Sequence, residues 1–407
     1  MNVLSRLLLA LAVIILTARA VGRAFRLIRQ PAVMGEVVAG IMLGPSFLGW
    51  IAPGAMAFLL PASVVTQLEF IAQFGVILFI FLVGVELDTG LLRRQIGTAT
   101  AVSLTGIVAP FALGIGAAWW LYPLLAPEHV SFVHFALFFG VSLSVTAFPV
   151  LARIITDRGL HGSYLGSIAL TCAAMGDFAA WCILSFITGL VLAKPGGAFQ
   201  TVLMTLLYIL CMFVVMGPLA RWFTRRVDRA GRMSRGSMAV ACVAFLLSAS
   251  LTEYIGIHAL FGAFFLGVVI PHDSLLAREL KVKIHDLVVV LFLPAFFAFT
   301  GLRLRVGLLS SVDDWLICGI IIILASAGKF GGVSLAAMLA GVGRRDAAAL
   351  GILMNTRGLF ELVVLNLGLD MGIISPRLFA MLVIMALVTT FATAPVLAAL
   401  TRPTGKA

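Results

Sequence analysis

The sequence predicts an all-α polytopic membrane protein with about 13 transmembrane helices, arranged as two inverted six-helix repeats with two interrupted helices. Of its 407 residues, 62% are hydrophobic and only 11% are charged, whereas a soluble domain usually carries about 25% charged residues. Apolar runs near the bilayer-spanning length of roughly 20 residues recur along the whole chain. Both features favour a membrane protein over a large soluble one.

The apolar runs and the polar residues between them place the helices. The first, over 3–23, is interpreted as a retained helix, because most of its positive charge follows it at Arg23, Arg26 and Arg29. A signal peptide carries its charge in front of the apolar segment. The other predicted helices cover 31–49, 67–87, 95–122, 131–155, 161–192, 199–222, 236–252, 256–270, 284–302, 313–341, 346–368 and 377–400.

The basic residues predict the orientation. Most of the 28 lysines and arginines follow odd-numbered helices, and the opposite side holds Arg6, Lys194, Arg303, Arg305 and Arg377. Because basic loops are retained in the cytoplasm, the N-terminus is expected outside and the C-terminus inside. The net charge of +11 therefore reflects membrane topology, and a nucleic-acid partner is not expected.

The sequence lacks the motifs of enzymes and metal centres. It contains no HExxH, GxSxG or P-loop motif, so neither enzymatic activity, a cofactor nor ATP-driven transport is expected. Its five cysteines all fall inside apolar segments and form no CxxC pair. Neither a disulfide framework nor a zinc site is therefore predicted.

The order of the helices predicts internal symmetry. They divide into a six-helix repeat at about 1–192, a linker helix at about 199–222 and a second repeat at about 236–400. Because the linker is a single helix, and one is an odd number of crossings, the two repeats have opposite orientations in the membrane. The whole of 1–407 is interpreted as a single transmembrane domain without a soluble regulatory domain.

The fifth helix of each repeat is interrupted by polar residues. In the first repeat, Ser144 and Thr146 precede Pro149, which removes a backbone hydrogen bond. In the second, Asn355 lies in the polar run that ends at Gly358. Interruptions at matching positions indicate a transporter's binding site, so Thr146 and Asn355 are expected near mid-membrane. The alternative is two kinked helices that serve packing alone.

Asp177 lies in the middle of an apolar helix, where a charge costs about 2.5–3.5 kcal/mol. Removal from water disfavours a charged carboxylate, so Asp177 is a candidate for binding either a proton or a monovalent cation. Lys329 lies at mid-membrane among glycines, with a direct or a structural role. The alternative for both is a structural ion pair with each other.

Other charged residues are secondary candidates. Arg357 and Glu361 lie four residues apart on one helix face, where they are able to pair. Glu86, at the end of the third helix, and Glu36, at the start of the second, are either functional or solvated at the membrane surface. His258 is interpreted mainly as a core histidine.

Five stretches in order along the chain carry a family resemblance. They cover 30–46, 81–88, 144–153, 256–264 and 354–362. With them the chain resembles the monovalent cation:proton antiporters, in the branch with plant cation/H+ exchangers and bacterial Kef- and Nap-type antiporters. The resemblance implies a homodimer in which a core domain moves against a scaffold. It also implies that Asp177 is the cation-binding acid and Lys329 the membrane lysine.

The chain departs from the family pattern at Gly176, where the family usually has Asn, Asp or Gln before the acid. Asp177 is then the only carboxylate deep in its helix, which predicts electroneutral exchange. The cytosolic regulatory region of the Kef and plant relatives is not expected, nor is its regulation by nucleotide or glutathione.

The function expected is secondary antiport of Na+ or K+ against protons, by alternating access across a prokaryotic plasma membrane. Two alternatives remain at this point: the membrane part of a channel-like potassium efflux system, and a symporter that binds an organic anion through Lys329 and Arg357. The residue types do not predict whether Na+ or K+ is preferred, because both are hard cations that take oxygen ligands.

Overall fold

A computed structural model gives the fold. It describes residues 2–28, 30–86, 98–158, 160, 163–192 and 198–401. Within these ranges the chain consists of helices and short connections, and it contains no β-strand. The prediction of an all-α fold is therefore confirmed for the part of the chain that the structure describes.

The helices are numbered here in chain order. Those up to residue 192 are α1 (Val3–Leu27), α2 (Ala32–Met42), α3 (Leu48–Ile51), α4 (Pro53–Leu59), α5 (Ala62–Glu86), α6 (Thr98–Leu125), α7 (Phe132–Ser144), α8 (Phe148–Asp157) and α9 (Tyr164–Leu192). The next are α10 (Ala198–Cys211), α11 (Gly217–Ala230), α12 (Arg235–Ile255), α13 (Ala259–Val269), α14 (Leu275–Leu287) and α15 (Leu293–Arg303). The last are α16 (Val312–Ser326), α17 (Gly332–Leu339), α18 (Arg344–Met354), α19 (Leu359–Asp370) and α20 (Pro376–Thr401).

Three of these helices continue into the next through a single π-helical turn. The turns cover Met212–Met216, Val288–Phe292 and Ala327–Gly331. With each such pair taken as one helix, nine helices in the described ranges are long and apolar enough to cross a membrane. The pair α18 and α19, bent by 43°, gives a tenth, and α2, α7 and α13 are shorter apolar helices. The count of thirteen crossings stays a prediction.

Three predicted boundaries are wrong. The helix expected at 199–222 continues to Ala230, so Arg225, Arg226 and Arg229 lie on a helix rather than in a loop. The second helix, expected to reach residue 49, ends at Met42, just before Pro45, which disfavours helical backbone in the residue that precedes it. The helix expected at 284–302 begins instead at Leu275, because the Ser274 hydroxyl caps its first turn by accepting from the Ala277 N–H. The basic residues of this segment therefore lie on a helix rather than in a loop.

The described residues form two compact units. The first comprises 1–15, 57–90 and 184–299, and glycines let two of its helices touch at their backbones. A Cβ atom on Gly84 of α5 would lie 2.4 Å from the Phe264 carbonyl oxygen of α13. A Cβ atom on Gly267 of α13 would lie 2.4 Å from the Phe81 carbonyl oxygen. Any side chain at either position would push α5 and α13 apart.

The second unit comprises 16–56, 91–183 and 300–407. Its apolar core is built from α8, α9, α17, α18 and α20, with Leu151, Ile155, Leu353 and Leu397 fully buried. This core includes α8 and α18, which are one half of each interrupted helix.

Candidate functional site

The two interrupted helices meet at their breaks. The first break separates α7 from α8, and the second separates α18 from α19. The Ala147 N–H donates to the Thr356 carbonyl at 3.0 Å, and the Thr146 hydroxyl donates to the Met354 carbonyl at 3.4 Å. Backbone groups that unwinding would leave unpaired in a membrane thus bond across the crossing.

Local sequence explains the first break, and close packing explains the glycine at the second. Pro149 is at the start of α8 and has no N–H for the Val145 carbonyl, four residues earlier. The backbone of Val145 is extended, with φ −63° and ψ 139°. At the second break, a Cβ atom on Gly358 would lie 2.7 Å from Cγ2 of Val150. A residue without a side chain at 358 lets α8 lie against the break.

Arg357 joins the second break to the end of α7. Its fully buried guanidinium donates to the carbonyls of Ser142 at 2.7 Å and Leu143 at 2.5 Å. These carbonyls belong to the last turn of α7, where helical donors run out and negative partial charge accumulates. Arg357 also forms the expected pair with Glu361, at 2.8 Å. The pair therefore keeps two buried charges compensated beside the second break.

Lys329 lies in the π-helical turn between α16 and α17 and is buried. Its ammonium donates to the Thr146 hydroxyl at 2.5 Å. A Cβ atom on the preceding Gly328 would lie 2.6 Å from Cα of Pro110, so the glycine permits close backbone packing here. Just before this turn, the hydroxyl of Ser326, the last residue of α16, accepts a hydrogen bond from the Asn355 amide at 3.4 Å.

Asp177 lies on α9 with 3% of its surface exposed. Neither of its carboxylate oxygens has a hydrogen-bond partner of ordinary geometry among the described residues. The Lys329 ammonium and the Phe148 N–H are the groups of other segments that interact with it electrostatically. Because Lys329 donates to Thr146 instead, the structural ion pair considered for Asp177 and Lys329 is not what the structure contains.

Further oxygens at the crossing are also buried without a partner in the described part of the chain. They are Oδ1 of Asn355 and Oγ1 of Thr356. Sequence reasoning missed Thr356, although its place in the polar run between Asn355 and Gly358 was a usable signal. Beside Asp177, a Cβ atom on Gly176 would meet nothing within 4 Å, so this position borders open space.

The other candidate residues from the sequence form hydrogen bonds or ion pairs away from Asp177. Ser144 donates its hydroxyl proton to the carbonyls of Ile107 and Gly140. Glu86 belongs to the first unit and pairs with Lys281 at 2.7 Å. Glu36 lies 3.6 Å from Arg19, and the His258 ring accepts from the Leu260 N–H at the start of α13. Asp88, in the second resemblance stretch, lies outside the described residues.

Comparison with known proteins identifies the family to which the chain belongs. Residues 10–401 match the transmembrane sodium/hydrogen exchanger family. The chain belongs to the sodium/hydrogen exchanger family. It is 41% identical over 396 residues to the Na(+)/H(+) antiporter NhaS4 of Synechocystis sp., an alignment that covers 97% of each chain.

Two eukaryotic relatives of this exchanger family are longer. Cation/H(+) antiporter 18 of Arabidopsis thaliana is 38% identical over 98% of this chain, which matches 49% of the plant protein. K(+)/H(+) antiporter 1 of Saccharomyces cerevisiae is 34% identical over 91% of this chain, which matches 43% of the yeast protein. The chain thus spans about half the length of these two relatives.

The fold is also that of a solved exchanger structure. The sodium proton antiporter MjNhaP1 from Methanocaldococcus jannaschii superposes with a TM-score of 0.67 over 98% of this chain and 97% of that one, at 14% sequence identity. Because the sequence identity is low, this structural similarity establishes a shared fold and no more.

Proposed function

We propose that this exchanger is a secondary antiporter that moves a monovalent cation, Na+ or K+, against protons by alternating access. The observation that carries the proposal is Asp177, a buried carboxylate without a hydrogen-bond partner among the described residues. Such a group at membrane depth is costly when charged. It is satisfied when it holds either a proton or a cation, and this competition is the chemistry of antiport.

The exchange needs one carboxylate and neutral oxygens. When Asp177 loses its proton, an alkali cation supplies the compensating charge. Hydroxyl and carbonyl oxygens suit these hard cations, and the break segments carry them at Thr146, Asn355 and Thr356. Lys329, bonded to Thr146, favours release of the proton from Asp177 whenever its own ammonium is charged.

The stoichiometry proposed is one proton for one monovalent cation. Gly176 provides no second carboxylate beside Asp177, so a single group holds either a proton or a cation in each half-cycle. One positive charge then moves in each direction, and the exchange is electroneutral.

The arrangement in the membrane is part of the proposal. Two inverted repeats place the interrupted helices in opposite directions, so their breaks cross at one depth. A homodimer holds the scaffold still while the core moves, and the residues near the crossing face each side in turn. The N-terminus lies outside and the C-terminus in the cytoplasm of a prokaryotic cell, as the bias of basic residues favours.

Proton flux from proteoliposomes tests the function. Addition of Na+, K+, Li+ or Rb+ separately is expected to release protons with saturable kinetics in the wild type and none in Asp177→Asn. Asp313→Asn, which neutralises an exposed carboxylate in the first turn of α16, is the matched control and is expected to retain flux. Wild-type flux from folded Asp177→Asn would refute the assignment of Asp177.

A further inference from the structure

A tryptophan lies one helical turn after Asp177 on α9. Trp181 and Asp177 are four residues apart, so their side chains share one face of the helix. The side chains of a helix lean toward its N-terminus, and each residue therefore covers the turn before its own Cα atom. The side chain of Trp181, which is 2% exposed, thus covers the turn that carries Asp177.

The indole of Trp181 contacts Phe360 of α19. The two ring centroids lie 5.6 Å apart with an interplanar angle of 65°, an edge-to-face arrangement that aromatic pairs prefer. Phe360 is the second residue of α19, so its side chain leans back toward the break that ends at Gly358. Both rings therefore lie beside the crossing, on the side from which α9 and α19 continue to their C-termini.

Contacts before and after Asp177 align α9 with the second break. One turn before Asp177, Ala173 belongs to the same buried cluster as Leu353, near the end of α18. One turn after it, Trp181 contacts the first turn of α19. Between these two contacts lie Asp177 on one helix and the break at 355–358 on the other. This alignment places the carboxylate opposite the break.

Hydrogen bonds hold the break from other directions. The Arg357 N–H donates to the Thr390 hydroxyl at 2.8 Å, and that hydroxyl donates to the Arg357 carbonyl at 2.7 Å. Asp177 adds no such bond, because its carboxylate oxygens have no hydrogen-bond partner of ordinary geometry among the described residues. The separation between α9 and the break therefore depends on apolar packing, to which Trp181 contributes a large and rigid side chain.

We infer that Trp181, through its contact with Phe360, determines the cation specificity of the exchange by fixing the width of the space between the Asp177 carboxylate and the oxygens of the break. This inference rests on the proposed antiport at Asp177. A site selects among hard cations by the size of its cavity and by the number of oxygens that fit around the ion. An indole packed against a second ring resists the wider separation that a larger cation requires. Trp181 is thus a positioning residue and not a ligand.

The test is proton release from proteoliposomes on addition of Li+, Na+, K+ or Rb+, with the apparent KM measured for each cation. Trp181→Leu removes the aromatic contact. It is expected to lower the apparent KM for Rb+ relative to that for Li+ by about threefold to tenfold, the scale of an aromatic pair. Trp181→Phe keeps a ring at this position and is expected to change the ratio less. An unchanged ratio in active Trp181→Leu, or a shift in favour of Li+, would overturn the inference.

Trp119→Leu is the matched control. Trp119 of α6 forms an edge-to-face pair with Phe132 of α7, with ring centroids 5.5 Å apart, so this variant removes a pair of the same kind. Its ratio of KM values is expected to equal that of the wild type. The same change of ratio in Trp119→Leu and Trp181→Leu would contradict the inference, because it would trace the effect to general loosening of the helices.

Phe360→Leu removes the same contact from the side of α19. It is expected to change the ratio in the same direction as Trp181→Leu, and the double variant is expected to add little, since both changes remove one interaction. Fully additive changes would count against a shared contact. Should Trp181→Leu fail to fold, Phe360→Leu and Trp181→Phe decide by the same ratio.

The same measurements separate this inference from the proposed function. A wild type that releases no protons with any of the four cations would refute the antiport itself. An active wild type whose ratio of KM values is the same in the folded variants of Trp181 and Phe360 would refute only the role in specificity.

Discussion

The Lys329 ammonium lies 2.5 Å from the Thr146 hydroxyl, so the buried lysine is held by the break between α7 and α8. A neutral acceptor keeps the lysine from forming a direct pair with Asp177. The carboxylate is thereby left available to a mobile ion, although the lysine still acts on it through space.

Replacement of Thr146 tests the lysine contact. Thr146→Val keeps the shape of the side chain but removes the acceptor of a buried charge, a bond worth about 1.5–3 kcal/mol. A lower Tm and slower cation-dependent proton flux are expected. Thr146→Ser restores the hydroxyl and is expected to restore most of both. Wild-type stability and flux in Thr146→Val would mean that the contact contributes little.

The dependence of exchange on membrane potential tests stoichiometry. One-for-one exchange moves no net charge, so the equilibrium ion gradient in liposomes clamped at different potentials is expected to stay constant. An exchanger that moves one net charge would gain or lose about 2.3 kcal/mol per 100 mV, which is more than tenfold in the gradient. A steep dependence in the wild type would rule out electroneutral exchange and indicate Lys329 as a second proton carrier.

The open space beside Gly176 allows a matched experiment. Because a Cβ atom there meets nothing within 4 Å, Gly176→Asp is expected to fold and to add a second carboxylate beside Asp177. Its exchange is expected to become dependent on potential, whereas Gly176→Ala stays electroneutral. A folded, active Gly176→Asp with wild-type behaviour would show that residue 176 does not set the stoichiometry.

Loss of the Glu361 carboxylate is expected to destabilise the protein strongly. Arg357 and Glu361 are both fully buried, and breaking a buried pair by removing one partner costs about 3–5 kcal/mol. Thermal unfolding of Glu361→Gln in detergent is therefore expected well below that of Asp313→Asn, which neutralises an exposed carboxylate. Equal unfolding temperatures for these two variants would contradict a stabilising role for the pair.

A single methyl group in the first unit tests its packing. Gly267→Ala places a Cβ atom 2.4 Å from the Phe81 carbonyl oxygen, and overpacking of this kind costs about 1–3 kcal/mol. A lower Tm is expected. Gly319→Ala is the control, since it lies within α16 and its Cβ atom meets nothing within 4 Å; alanine there is expected to be neutral or stabilising. A higher Tm for Gly267→Ala than for Gly319→Ala would refute the packing argument.

The parts of the fold that the sequence predicted are those encoded locally. Apolar runs located the helical segments, and Pro149 and Gly358 marked the two breaks, because both act on the backbone near their own positions. The arginine contact between Arg357 and the Ser142 carbonyl was not predictable. Its partners are 215 residues apart in the chain, and their meeting depends on the packing of the whole second unit.

The π-helical turns were missed for another reason. The turn Ala327–Gly331 contains no proline and reads as ordinary helix. Its extra residue is accommodated by packing of Gly328 against Pro110 of α6, which periodicity within one segment does not reveal. Thr356 was passed over because its hydroxyl becomes notable only once the tertiary structure buries it without a partner.

The bond between Thr146 and Met354 joins residues 208 positions apart, and this distance has a consequence for biosynthesis. Chains emerge from the ribosome N-terminus first, so Asp177 and the first break reach the bilayer long before Lys329 or the second break has been made. Until then, the Asp177 carboxyl is expected to enter the bilayer protonated, because removal from water disfavours its charged form. A ribosome that stalls between these segments would leave a nascent chain with half of its polar crossing, a natural target for membrane quality control.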